Sequence, residues 1–102
     1  MNHYADPGER TALIAGFRGL ADYLDANPGV PAPRSANVYV FPPDADNADM
    51  FAEIDAIAER MGTQASDADS PRGHYSAVRH FGPVEFRAVA IPKNADDEDS
   101  TR

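Results

Sequence analysis

Three histidines, five serines and seventeen carboxylates are the side chains of this 102-residue chain that could do chemistry. His74 and His80 share one face of a predicted strand but stand six residues apart, roughly 20 Å along an extended backbone. Two ligands of one metal cannot be that distant without a sharp bend. His80 is better read as the cross-strand partner of Glu85, a surface pairing. None of Ser35, Ser66, Ser70, Ser76 and Ser100 sits in a G-x-S-x-G elbow. Ser76 lies two residues from His74, which is not an attack geometry. Acid–base work needs two carboxylates held in a pocket, and with so many acids no single pair stands out. There is no P-loop and no dinucleotide-type glycine pattern. These readings predict a protein that is not an enzyme and that carries no cofactor and no metal.

Two further sites follow from residue type and position. The first is a low-ranking hairpin site of His74, Tyr75, Arg79 and His80, a small-ligand or enzymatic reading that requires a pocket. Arg79 stands among apolar neighbours, where it could hold an anion. The plainer reading has its stem covering Phe81 or Phe86 and its head reaching water or an acid. The second is the acidic surface of a predicted helix, with Asp46, Asp49 and Glu53 on one flank and Asp55 and Glu59 on the other. Arg60 is its one cation. Acids early in a helix favour its dipole and need no other explanation. Asp55 and Glu59 come late, where the dipole gives them nothing, and they are the stronger sign of a contact surface.

The elements that must position these groups are legible in the pattern. Asp6-Pro7-Gly8-Glu9 reads as a helix start, with Asp6 as cap and Glu9 three residues on. Leu13, Ile14, Phe17, Leu20, Ala21 and Leu24 form its apolar stripe. Pro28 ends it near Asn27. Asn37–Phe41 reads as a strand rich in β-branched and aromatic residues, and apolar groups on both of its faces suggest a central one. Asp44, Asp46 or Asn47 can cap a second helix with the stripe Met50, Phe51, Ile54, Ile57, Ala58 and Met61. Gly62 suits its left-handed C′ position. Thr63–Ser66 could add a short edge strand.

His74–Phe81 and Val84–Ile91 read as a hairpin about Gly82-Pro83. Tyr75, Ala77, Arg79, Phe81, Val84, Phe86, Ala88 and Ala90 should share the face toward the helices. The expected fold is α+β, two helices packed on one face of a small, mostly antiparallel sheet ending in a β-hairpin. Residues 1–7 are expected to be flexible, 8–92 to form a single domain, and 93–102, with Asp96-Asp97-Glu98-Asp99, to form a disordered acidic tail.

The net charge is −8, from 9 basic against 17 acidic residues. Direct nucleic-acid binding and anionic membranes are disfavoured, because both draw affinity from cations. A basic protein is the expected partner. The chain has no cysteine, so disulfides and thiolate sites are excluded. The first seven residues show neither a basic nor an apolar leader region, and no run reaches membrane-span length. Together these predict a cytoplasmic protein.

The order of a first helix, the turn Asn27-Pro28-Gly29-Val30-Pro31-Ala32-Pro33, a Val-Tyr-Val-Phe strand, a second helix closed by Gly62 and a Phe81-Gly82-Pro83-Val84-Glu85 hairpin resembles small uncharacterised proteins of GC-rich bacteria, their plasmids and phages. The resemblance spans about Leu13 to Pro92. Such proteins bring no catalytic residue, and the resemblance implies an accessory or mobile-element role. The expected function is therefore a non-catalytic acidic protein-binding module of accessory or regulatory kind. One alternative is a nucleic-acid mimic that inhibits a host DNA-binding enzyme, which would need carboxylates spaced like phosphates on one surface. The other is the hairpin site.

Overall fold

Asp6 starts the first helix as its residue type requires. Its carboxylate accepts the Glu9 N–H at 2.8 Å, and Glu9 answers by accepting the Asp6 N–H at 3.0 Å. This capping box satisfies two backbone donors that helical bonding leaves over. Helix α1 then runs over Pro7–Ala26 and closes with Asn27 donating to the Tyr23 carbonyl. The computed structural model describes residues 4–67 and 73–93. The chain divides into two units, Met1–Arg34 and Ser35–Arg102. His3, the loop residues 68–72 with Ser70, and the tail 94–102 lie outside the described residues.

The second unit holds strand β1 (Ala36–Val40), helix α2 (Asn47–Met61), and strands β2 (Tyr75–Phe81) and β3 (Val84–Ala90). The sheet order is β1-β3-β2. β2 and β3 are antiparallel, with Phe81 opposite Val84 and Tyr75 opposite Ala90. That register leaves a two-residue loop. Gly82 has φ +61°, and proline fixes its own φ near −65°, the combination of a type II′ hairpin turn. The predicted hairpin faces follow from it.

Two features depart from the expected arrangement. β1 runs parallel to β3, from Ala36 opposite Val84 to Val40 opposite Ala88. The sheet is therefore mixed rather than mostly antiparallel. Both α2 and β2 lie between β1 and β3 in the chain, the long connection that a parallel pair needs and a hairpin cannot supply. β1 is also an edge strand and not a central one. Its apolar residues on two faces misled because Tyr39 and Phe41 stay about half exposed, their rings stacked at 6.2 Å. Within the second unit, α2 supplies the helical part of the core.

Helix α2 lies on the face that carries Ala77, Ala88 and Ala90. These small side chains let the helix come close, and Met50, Ile54 and Ala58 fill the gap, with Ile54 wholly buried. Asp46 is the cap, accepting the Asp49 N–H at 2.8 Å. Gly62, at φ +73°, ends the helix. Its N–H donates to the Glu59 carbonyl and the Thr63 N–H to the Ala58 carbonyl, the paired bonds of a Schellman close. Beyond it, Ser66 exchanges two backbone hydrogen bonds with Ser76. The expected edge strand over Thr63–Ser66 is this single bridge. At the other end, Asn47 clasps the backbone of Lys93, donating to its carbonyl at 2.6 Å and accepting its N–H at 2.8 Å. Lys93 also pairs with Asp44 at 2.9 Å. The start of α2 is thereby tied to the chain leaving β3. No described helix is long and apolar enough to cross a membrane.

Candidate functional site

The carboxylates of α2 divide by what they do. Asp46 is occupied by the cap. Asp49 is exposed beside it, and Glu53 is half-buried on the same flank. Asp55 and Glu59, four residues apart and so neighbours on one helix face, are both exposed. With Ala58, Thr63, Gln64 and Ala65 they line an open groove at the C-terminal half of the helix. The Schellman close makes this groove. Gly62 turns the chain back, and Thr63, Gln64 and Ala65 become its second wall.

Tyr75 of β2 reaches the same place. Its phenol donates to Asp55 Oδ1, and its ring stacks on Phe51 at 4.8 Å. The hydrogen bond to the Asp55 carboxylate holds the phenol's pKa above its ordinary value of 10.0, and desolvation and the charges of Asp55 and Asp67 add to it. An ionised phenol beside these carboxylates would be repelled, so the proton stays. One candidate of the acidic helix and one of the hairpin thus meet in one place.

The other hairpin candidates go elsewhere. Arg79 donates from Nη1 to the Met61 carbonyl at 3.0 Å, and its guanidinium lies 5.7 Å from the Phe81 ring centroid. It is thus the guanidinium that lies over Phe81, and the same head meets the end of α2 rather than an acid. A cation there is favoured by the helix dipole. His80 lies on the opposite sheet face from Tyr75 and Arg79 by strand alternation, exposed and directly opposite Glu85, and His74 precedes β2. The four residues therefore do not converge on one pocket. Among the described residues no group of three or more His, Asp or Glu side chains could hold a metal ion.

That opposite face carries a polar network not singled out from sequence. Arg87 Nε donates to Glu85 at 2.9 Å, and Nη1 donates to the Ser76 hydroxyl at 2.7 Å. Ser76 is only 7% exposed. The Arg87 hydrogen bond holds the Glu85 carboxyl below its usual range against desolvation, and the charges of Arg87 and His80 help. Opposite charges two residues apart on one strand lie on one face, so Glu85-Phe86-Arg87 held the signal. Thr63 and Gln64 gave none, because their role comes from the turn after Gly62.

No protein-family model, no curated protein and no solved structure matches the chain.

Proposed function

We propose that the chain is a non-catalytic protein-binding module of accessory kind, and that the groove of Asp55, Glu59, Thr63 and Gln64 receives a lysine or arginine side chain of a basic partner. The supporting observation is the position of two exposed carboxylates on one wall of a groove at the C-terminal half of α2. Negative charge there opposes the helix dipole, so the dipole does not account for it. The opposite wall offers the Thr63 hydroxyl and the Gln64 amide. A cationic head entering from solvent would meet two acids and these polar groups. The net charge of −8 would raise the encounter rate with such a partner.

The test is retention of partners from host lysate on the immobilised full chain at low salt, followed by titration of each purified partner. Asp55→Asn with Glu59→Gln removes the charge and keeps the shape, and the asparagine can still accept from Tyr75. A basic protein whose affinity drops about tenfold or more in the double variant supports the groove. A partner bound equally by both forms refutes it.

A further inference from the structure

Strand β1 lies at the edge of the sheet and pairs with β3 alone among the described residues. Its ladder fixes which way each amide points. The Ala36 N–H donates to the Pro83 carbonyl at 3.2 Å, and Ala36 stands opposite Val84. In a parallel pair every second residue turns both its N–H and its C=O to the neighbour, so Ala36, Val38 and Val40 serve β3. Asn37 and Tyr39 turn theirs outward. The segment leading into β1 is no substitute strand. The amides of α1 are bonded within the helix, and Pro28, Pro31 and Pro33 of the connector have no N–H. Only another extended chain offers donors and acceptors at the spacing this edge requires.

Sheet edges are commonly blocked by a lysine or other charge, a proline or a bulge. From Ser35 to Phe41 there is no charge and no proline, and the pairing with β3 runs one to one without a bulge. The opposite edge differs. There Ser66 exchanges two backbone hydrogen bonds with Ser76 and covers the start of β2.

The edge of β1 is complementary to itself. With two copies laid antiparallel about Val38, Asn37 of each faces Tyr39 of the other, and each such pair exchanges two hydrogen bonds. Both outward-facing residues of the strand are then satisfied. Val38 meets Val38 of the second copy as the close, non-hydrogen-bonded pair. It does so beside α2, which packs on β2 and β3 and not on β1. The two-fold axis closes the assembly. Charge agrees with the choice. Each chain carries −8, and an uncharged strand lets two acidic chains meet without setting carboxylates opposite one another.

We infer that β1 is a self-association edge, through which two copies of the chain pair antiparallel by Asn37, Val38 and Tyr39 and join two three-stranded sheets into one. The pairing does not involve the acidic groove.

Sedimentation equilibrium of the full chain between about 1 µM and 1 mM, together with amide exchange followed by NMR, tests it. The expected result is a monomer–dimer equilibrium in which the Asn37 and Tyr39 amides become protected as concentration rises. Those of Val38 and Val40, bonded to β3 throughout, should change little. Asn37→Pro removes an outward donor alone, at a place where an edge strand tolerates proline. It should weaken the dimer at least about tenfold while circular dichroism shows the chain folded, and Asn37→Ala should not. Added salt should tighten the dimer by screening the repulsion between the two acidic chains, whereas association through the acidic groove would loosen. A monomer throughout the range overturns the inference. So does a dimer whose Asn37 and Tyr39 amides exchange as they do in the monomer, or one that salt loosens. If Asn37→Pro does not fold, the concentration dependence of those two amides in the parent chain decides alone.

Discussion

Tyr75 shows how one proton couples the site to stability. Its phenol is raised above the ordinary value of 10.0 by the bond to Asp55. A raised pKa favours the neutral form in the folded state, so its contribution is complete below pH 10 and is lost as pH climbs from there through the folded value. Its ionisation, followed by absorbance at 295 nm, should come above the ordinary value. Tyr75→Phe should remove the late step and the alkaline loss of stability with it, at a cost near pH 7 of about 0.5 kcal/mol for one exposed hydrogen bond. Glu85 runs in the opposite sense. Its carboxyl is held below 4.5 by Arg87, so its contribution is complete above that value and fades as pH falls through the folded one. Arg87→Met leaves Glu85 and the Ser76 hydroxyl without this partner, which costs about 1–3 kcal/mol. Urea unfolding at neutral and acidic pH should find the variant less stable at neutral pH and the difference narrowed in acid. An equal deficit at both would assign the loss to packing of the arginine stem.

At the scale of elements, Asp46 serves the cap rather than the groove, and two substitutions separate the roles. Asp46→Ala should destabilise α2 by about 1 kcal/mol. In a unit of this size that is about 4–8 °C of melting temperature. Asp46→Asn keeps an acceptor for the Asp49 N–H and should melt close to the parent. Calorimetry of the two variants distinguishes a lost cap from a lost charge, since both remove the carboxylate. Elements of this kind were legible because they are local. Asp6, Asp46, Gly62 and the Gly82-Pro83 turn each act within four residues of themselves, and each does what its residue type requires. The sheet order was not legible. Val38 and Val40 point to α2 whether β1 is central or at an edge, and alternation cannot say which neighbour a strand bonds to. The stripe of α1 was read correctly as apolar, but a periodic pattern says which face wants cover and not what covers it. The groove mixes both cases. Asp55 and Glu59 stood out because late acids oppose the dipole, whereas Tyr75 joined them only through the pairing of β2 with β3 beneath α2.

At the scale of the whole molecule, 17 acids against 9 bases set how a partner would arrive. A charge of −8 creates a field felt over roughly one Debye length, about 8 Å at physiological ionic strength and 3 Å at 1 M salt. For a basic partner bound as proposed, that field would act on approach, whereas the groove would hold one cation at short range. Salt should therefore act mainly on encounter. For any partner that the groove binds, the association rate should fall steeply between low and high salt, and the dissociation rate should change little. Asp55→Asn with Glu59→Gln removes two of the acids and leaves a net charge of −6. It should lower the association rate modestly and raise the dissociation rate about tenfold. Stopped-flow kinetics at two salt concentrations reads both rates. If the double variant slowed association and left dissociation alone, the two carboxylates would belong to the general field, and the groove would lose its claim to hold the partner. Faster dissociation with a parental salt slope would instead place the short-range contact at Asp55 and Glu59 and leave steering to the remaining acids.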